Sequence, residues 1–168
     1  MTTSQRTTAL TIGTAIAAWE IGWTVVGKAE RRRLYRSALD AARRRNKPAL
    51  VVGEPDGEYG CGDPARGDVL LDIRDSSVCA NYVRQNVEDL SRFPNKFFGG
   101  SFVSHVLEHL CDPERAIDEL RRVSDEVFVS YPRPWRLVTW MIPGHVWVIT
   151  KPGGRWRFTR IRPLSHCN

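Results

Sequence analysis

Three titratable side chains stand close together in the segment His105-Val-Leu-Glu-His109 and could do two kinds of chemistry. Imidazole gains and loses a proton near neutral pH, so His105 or His109 could take a proton from an acceptor oxygen as a general base. Histidines four residues apart could also bind a divalent metal if the segment were helical, but such a site needs a third ligand, and none is evident in the sequence. A metal is therefore not predicted. The alternative is that Glu108 and His109 cap a helix or hydrogen-bond a loop.

The segment lies between a predicted strand and a predicted helix. Residues 101–106 are short, apolar and β-branched, as in a strand that is buried on both faces of a parallel sheet. Asp112 and Pro113 have the residue types of an N-cap and a first helical position. One face of the helix is apolar, formed by Ala116, Ile117, Leu120 and Val123. A further strand is predicted at 126–130, and ligands of open α/β sheets bind where such strands end.

The stretch HVLEHLCDPERAIDELRRV resembles the fourth-strand region of class I S-adenosylmethionine-dependent methyltransferases, in the branch with HVLEH, Asp-Pro and an E-L-x-R-V helix. The resemblance covers roughly residues 48–149. It implies an α/β fold with a small, doubly wound, mostly parallel sheet of the Rossmann-like type, and S-adenosylmethionine bound at the strand ends. The candidate catalytic residues are then His105, Glu108 and His109.

The resemblance also implies a set of cofactor contacts after the first three strands. Residues 48–53 form an apolar run that ends in glycine, and residues 69–72 form a second run that ends in an acid. In related proteins that acid accepts hydrogen bonds from ribose hydroxyls, and the segment after the third strand faces the adenine. By position, the candidate contacts are Gly53, Glu54, Gly60, Gly62, Asp72, Asn86 and Val87.

Two features depart from the family pattern. A compact G-x-G-x-G loop does not follow the first strand, and Gly60-Cys-Gly62 comes later in the chain. Residues 53–68 also lack a helical period, so the first crossover helix is predicted to be missing or vestigial. Two hypotheses follow. The first is an enzyme that methylates a small, lipid-soluble or membrane-presented acceptor, and the second is a catalytically inactive membrane scaffold or assembly subunit.

The amino-terminal part contains an apolar run, residues 9–27, that is long enough to cross a bilayer and carries one charge, Glu20. Positive charges follow the run, and Arg6 alone precedes it, which predicts a retained single-pass anchor in membrane lipid with the body on the cytoplasmic side. Small and polar residues at helical spacing predict a partner helix, from a second copy or another subunit: Gly13, Ala17, Glu20, Thr24 and Gly27. The alternative is an amphipathic helix that packs against a protein partner.

These patterns divide the chain into a tail (1–8), a transmembrane helix (9–27), a basic helical linker (28–47) and a methyltransferase-like domain (48–168). The length of 168 residues fits one compact domain with an appendage. Much of the net charge of +6 lies in the linker, and no nucleic-acid motif accompanies it, so a nucleic-acid partner is not expected.

The remaining features concern the cysteines and the carboxyl-terminal part. Cys61, Cys79, Cys111 and Cys167 form no C-x-x-C pair and no zinc-finger spacing, and reduced, unlinked thiols are predicted. Residues 131–135 and His145 are expected to border the pocket for a small-molecule acceptor. Residues 146–150 and 156–161 are predicted to pair as a hairpin.

Overall fold

The computed structural model describes residues 3–53, 60–77 and 79–164. Five strands form one parallel sheet in the order β3-β2-β1-β4-β5: β1 is Ala49–Val52, β2 Val69–Asp72, β3 Tyr82–Arg84, β4 Phe98–Ser104 and β5 Ser124–Ser130. The helices are α1 (Thr3–Arg45), α2 (Pro113–Val123) and α3 (Leu137–Met141). Strands β6 (Trp147–Thr150) and β7 (Arg157–Arg160) form the predicted antiparallel pair, separate from the main sheet. The α/β Rossmann-like sheet is confirmed.

Alternate residues of the central strands point into two apolar layers. In β1, Leu50 and Val52 belong to a cluster with the buried face of α2, whereas Ala49 and Val51 pack on the other side with α1. A strand that is buried on both faces needs apolar residues at every position, which explains the unbroken run in β1. Helix α2 begins as predicted, because the Asp112 side chain accepts a hydrogen bond from Arg115 N and Pro113 follows it.

The second half of α1 lies directly on β4. Gly99 and Gly100 lie inside that strand, and a Cβ atom built at Gly99 would be only 2.7 Å from the Cα atom of Ala42. The absence of side chains here lets the helix backbone approach the sheet closely. Segment 28–47 is helical and basic as far as Arg45, and its apolar side is part of the core through Tyr35, Ala38, Leu39, Ala41 and Ala42.

The predicted transmembrane helix is wrong. Within the described residues, no helix has both the length and the apolar character that crossing a membrane requires, so the single-pass membrane localisation has no support. The physical reason is composition. Residues 9–27 contain glycine, alanine and threonine at many positions, and these contribute far less hydrophobicity than leucine, isoleucine or valine.

Glu20, the one charge in that run, is paired within the chain. Its carboxylate accepts hydrogen bonds from the Arg136 guanidinium, at 2.9 Å, and from the backbone N of Leu137, at 2.8 Å. Arg136 also donates to the Thr24 hydroxyl, and Trp135 packs against Trp23 of α1. These contacts fix the chain before α3 to the first half of α1. The partner helix expected along this face stays a prediction.

The link from β1 to β2 contains one short 3-10 turn, Pro64–Arg66, in its described part, in keeping with the expected loss of the first crossover helix. Asp68, just before β2, is fully buried and holds this link. Its carboxylate accepts hydrogen bonds from the backbone N of Ala49, from the backbone N of Asp63 and from the Arg66 guanidinium.

The predicted free thiols are also wrong. Cys61 and Cys79 form a disulfide with their Cα atoms 5.5 Å apart, and Cys111 is disulfide-bonded as well. Cys167 lies outside the described residues. The sequence could not show the bond, because Cys61 and Cys79 become neighbours only when the parallel pairing of β1, β2 and β3 brings their two loops together.

Candidate active site

A pocket of about 370 Å³ opens at the carboxyl ends of β1, β2 and β4. It lies where the strand order reverses between β1 and β4, the place at which open α/β sheets bind ligands. Six of the predicted site residues line it, namely Gly53, Asp72, Asn86, Val87, His105 and His109. We call it the strand-end pocket. Glu54 lies outside the described residues.

Gly53 ends β1 with a positive φ of 84°, a backbone conformation that glycine adopts without strain. A Cβ atom at this position would lie 2.5 Å from the Ser104 carbonyl oxygen and would also clash with Val106. The close approach of β4 therefore explains why glycine is required at this position. Its predicted role in cofactor binding stays a prediction.

Gly60 and Gly62 belong to the β1–β2 link. They are not among the described residues that line the strand-end pocket. A Cβ atom at Gly62 would be 2.6 Å from the Asp68 carboxylate, and the Gly60 carbonyl accepts a hydrogen bond from the Tyr35 hydroxyl at 3.3 Å. Burial raises the pKa of that Tyr35 hydroxyl, so it is protonated and able to donate. The positive φ values of Gly60 (103°) and Gly62 (69°), together with the approach of Asp68 to Gly62, give both glycines a structural explanation.

Asp72 is the acid on the wall of the strand-end pocket. It ends β2, is 9% exposed, and is held in place because one carboxylate oxygen accepts a hydrogen bond from the backbone N of Arg74 at 2.9 Å. The Arg74 guanidinium lies 3.5 Å from the same oxygen. A carboxylate fixed in this way can accept hydrogen bonds from ligand hydroxyls.

Asn86 and Val87 form the wall beyond β3. The Asn86 side chain accepts from the backbone N of Glu88 and donates to the Glu88 carboxylate, while Val87 is buried. Glu88 in turn accepts a hydrogen bond from the backbone N of Asp112 at 2.6 Å, so this wall is tied to the start of α2. The arrangement presents an apolar side chain and a fixed turn to the pocket.

The end of β4 changes direction sharply at His105, which has a φ of 50°. A non-glycine residue in this left-handed region is uncommon and costs energy, and the hydrogen bond from His105 N to the Ser130 carbonyl, 3.0 Å, holds it there. A 3-10 turn, Leu107–His109, follows at once. The tight turn directs the Glu108 side chain into the protein, where it is 1% exposed.

The Glu108 carboxylate is buried with neither oxygen accepting a hydrogen bond from the described residues. His105 Nδ1 lies 3.3 Å from Oε1, within ion-pair distance but without hydrogen-bond geometry. Buried polar side chains nearly always have a hydrogen-bond partner, so this carboxylate needs an explanation. The predicted cap or loop hydrogen bond of Glu108 is absent from the described contacts.

His145 completes the surroundings of Glu108. It is 3% exposed, and its Nδ1 lies 2.9 Å from the Thr139 carbonyl oxygen. Burial lowers the pKa of His145, with smaller opposing effects from the Thr139 hydrogen bond and from Glu108, so the imidazole is neutral at pH 7. The backbone N of Val146 donates to the Glu108 carbonyl at 2.8 Å, and this bond brings the segment before β6 to the 3-10 turn.

The sequence predicts a position beside an acceptor pocket for His145 and indicates no link to Glu108. The two residues come together through the packing of the β6–β7 pair against the 3-10 turn, a tertiary contact with no local sequence signal. One ligand atom from each of Glu108, His109 and His145 lies within 4.8 Å of the other two. The rings of His109 and His145 are 4.9 Å apart between centroids.

The aromatic segment after β5 serves a structural purpose in the described contacts. Tyr131 packs on Trp156 with 5.7 Å between ring centroids, and the Arg133 guanidinium lies over the Tyr131 ring. Trp135 packs on α1, as described above. None of residues 131–135 is among the described residues that line the strand-end pocket, and their predicted position beside the acceptor stays a prediction.

One comparison with known proteins gives a match. The family model described as "Methyltransferase domain" matches residues 65–126, the part of the chain from the β1–β2 link into β5. No curated protein matches the chain. The matched segment contains Asp72, Asn86, Val87 and the whole turn from His105 to His109. The match covers 62 of the 168 residues and, together with the strand order, supports a likeness to the class I S-adenosylmethionine-dependent methyltransferases, whose cofactor is S-adenosylmethionine.

Proposed function

We propose that the protein transfers the methyl group of S-adenosylmethionine to a small-molecule acceptor, with the cofactor in the strand-end pocket. The observation that carries the proposal is the position of this pocket. It lies at the reversal of strand order, and most of its lining belongs to the segment that the methyltransferase family model matches, with a fixed acid on one wall and two histidines on another. The volume of about 370 Å³ is in the range of small-ligand sites.

The residues of the strand-end pocket fit the chemical groups of the cofactor. Asp72 would accept hydrogen bonds from the ribose hydroxyls, because its carboxylate is fixed at the end of β2 by Arg74 N. Val87 and Leu110 supply apolar wall against which a flat aromatic base can pack. Gly53 keeps the end of β1 free of side-chain atoms at the point where β1 and β4 meet.

The sulfonium group of S-adenosylmethionine supplies an activated methyl carbon, so the task of the protein is to align the acceptor and to manage its proton. His105 and His109 line the pocket, and the His105 side chain is about one-third exposed. Either imidazole would accept the proton of an acceptor hydroxyl as the oxygen attacks. The Ser130 hydrogen bond and the left-handed backbone fix the direction of His105.

The first test is the thermal stability of the full chain with the cofactor and with its demethylated product, S-adenosylhomocysteine. At 100 times the dissociation constant, binding should stabilise the fold by about 2.7 kcal/mol, a rise in Tm of roughly 5–10 °C. Asp72→Ala should remove most of this rise. Asp75→Ala is the matched control, because Asp75 is exposed and three residues away, and it should keep the full rise.

A rise that survives in Asp72→Ala would place the cofactor elsewhere. A wild-type chain that shows no rise with either compound would contradict the proposal and would favour the second candidate, an inactive scaffold or assembly subunit. The observation that favours this second candidate is the β1–β2 link, whose described part contains a 3-10 turn in the place of a crossover helix.

A further inference from the structure

We propose that Glu108, His109 and His145 bind a divalent transition-metal ion. The three side chains come from two separate parts of the chain, the 3-10 turn after β4 and the segment before β6. One ligand atom of each lies within 4.8 Å of the other two, and two of the three residues are buried. The third ligand that the sequence did not reveal is His145.

The state of Glu108 points to a bound cation. Its carboxylate is 1% exposed, and neither oxygen accepts a hydrogen bond from the described residues. A carboxylate that is removed from water without a partner is strongly unfavourable, and buried carboxylates are normally paired or bound to a metal. The Asp68 carboxylate, equally buried, accepts hydrogen bonds from three residues. Glu108, by contrast, accepts no hydrogen bond from the described residues, and its contact with His105 Nδ1, 3.3 Å from Oε1, is at ion-pair distance only.

Both imidazoles make a hydrogen bond to a backbone carbonyl of the kind that metal-bound histidines usually make. His109 Nδ1 lies 2.8 Å from the Gly144 carbonyl oxygen and His145 Nδ1 lies 2.9 Å from the Thr139 carbonyl oxygen. A carbonyl oxygen can only accept, so each Nδ1 carries the proton and the lone pair is on Nε2. A backbone carbonyl that holds the second ring nitrogen is the common arrangement behind a metal-bound histidine.

The ligand types select the class of metal. Two imidazole nitrogens and one carboxylate oxygen suit Zn²⁺, Co²⁺, Mn²⁺ or Fe²⁺, whereas Mg²⁺ and Ca²⁺ prefer oxygen ligands throughout. Bonds of about 2.0–2.2 Å bring ligand atoms roughly 3.3 Å apart in a tetrahedral site, so the side chains must close by about 1.5 Å or less. Three protein ligands also leave at least one coordination position for another molecule.

The site adjoins the strand-end pocket, because His109 belongs to both. If the proposed methyl transfer is correct, the open coordination position would bind the acceptor oxygen, and the metal would make its hydroxyl more acidic. The hydroxyl proton would leave to His105 or to water. The oxygen would then bond to the methyl carbon as the carbon–sulfur bond breaks, giving a methyl ether and S-adenosylhomocysteine. This role rests on the proposed function, whereas the metal site itself does not.

The test is a titration of the metal-free full chain with Zn²⁺ by calorimetry and with Co²⁺ by visible absorption. The protein should carry no polyhistidine tag, because its histidines would bind Zn²⁺. The buffer should contain no thiol, because reduction of the disulfides would give free cysteines that compete as ligands. We expect one Zn²⁺ per chain and a Co²⁺ spectrum of nitrogen and oxygen ligands without sulfur charge-transfer bands. Millimolar Mg²⁺ should not compete.

Three variants define the ligands. Glu108→Gln, His145→Gln and His109→Gln should each weaken Zn²⁺ binding on the order of 100-fold, at least as much as the loss of an outer-shell partner. Glu114→Gln is the matched control, because it removes the charge of an exposed glutamate at the start of α2, and it should bind Zn²⁺ as the wild type does. Circular dichroism would confirm that each variant is folded. His109 is only partly buried and is the substitution that the fold should tolerate best.

The proposal fails if the wild-type chain binds no Zn²⁺, or if folded Glu108→Gln and His145→Gln bind it as tightly as the wild type. The titration contains no cofactor, so its result is separate from the thermal test of methyl transfer. Zn²⁺ binding without stabilisation by S-adenosylmethionine would support the metal site and contradict the proposed function, and the reverse result would contradict the metal site alone.

Discussion

Asp68 and Glu108 are two equally buried acids at opposite edges of the same parallel sheet. Asp68 precedes β2 at the amino-terminal edge and accepts hydrogen bonds from two backbone N–H groups and an arginine. Glu108 follows β4 at the carboxyl-terminal edge and accepts none from the described residues. We attribute the difference to the metal ion proposed at Glu108, because the chain itself satisfies Asp68 and leaves Glu108 for that ligand.

Open α/β sheets bind their ligands outside the carboxyl ends of the strands, which is the end where Glu108 lies. At the amino-terminal edge no ligand is expected, so a buried charge must be satisfied by the chain itself. A buried acid whose carboxylate accepts hydrogen bonds from the chain therefore indicates a structural site. A buried acid without such hydrogen bonds indicates a candidate functional site.

The largest loss of stability is expected for Asp68→Ala. The substitution leaves the backbone N of Ala49 and of Asp63 without their acceptor and the Arg66 guanidinium without its main partner. We expect a loss of about 3–5 kcal/mol in the free energy of unfolding, measured by urea denaturation at pH 7. Asp63→Ala, in an exposed cap of the same link, is the control and should cost about 1 kcal/mol. Equal losses in the two variants would contradict the role of Asp68 as the acid that stabilises this end of the sheet.

An intermediate loss of stability is expected for Glu20→Gln. This variant measures what an acid outside the sheet contributes to stability. The carboxylate is partly exposed and joins α1 to Arg136 and to the backbone N of Leu137. Replacing it should cost about 1–2 kcal/mol, because hydrogen bonds to a charged group are lost in a partly solvated place. Asp40→Asn, an exposed acid of the same helix, should change the urea midpoint very little. An unchanged midpoint in Glu20→Gln would mean that α1 and α3 are not held together by this pair.

The smallest effect on stability is expected for Glu108→Gln in the metal-free protein. The carboxylate has no described hydrogen bond to lose, and a neutral amide is less costly to bury, so the free energy of unfolding should stay constant or rise by up to about 1 kcal/mol. Urea denaturation in the presence of a chelator would measure this. A loss close to that of Asp68→Ala would show that Glu108 is part of the stable core and would remove the contrast between the edges.

The sequence predicted the local elements of the fold well. The β4–α2–β5 unit, the Asp112 cap and the strand at 69–72 all depend on residues that are close in the chain, so periodicity and capping reveal them. The strand at β4 begins earlier than predicted, because Gly99 and Gly100 read as a break before a strand although α1 covers them inside it. The sequence of α1 alone does not show that this helix packs on Gly99 and Gly100 of β4.

The remaining errors concern contacts between distant residues. The partner of Glu20 is more than a hundred positions away, at Arg136, so the charge looked unpaired and the run around it looked like an anchor. The Cys61–Cys79 disulfide and the approach of His145 to Glu108 likewise depend on how separate loops pack. Six of the seven cofactor positions are described, and four of them line one pocket, because residues at adjacent strand ends are neighbours in any parallel sheet.

The glycine pair in β4 has a consequence for how the protein can be handled. Gly99 and Gly100 have no side chains, and the backbone of α1 at Ala38 and Ala42 fills the space that side chains would occupy. A shortened chain that starts at residue 48 would expose Phe102, Val51 and Leu70 to water and would retain two flexible residues in its central strand. Such a fragment should precipitate or remain unfolded, and the amino-terminal helix must stay attached if any binding is to be observed.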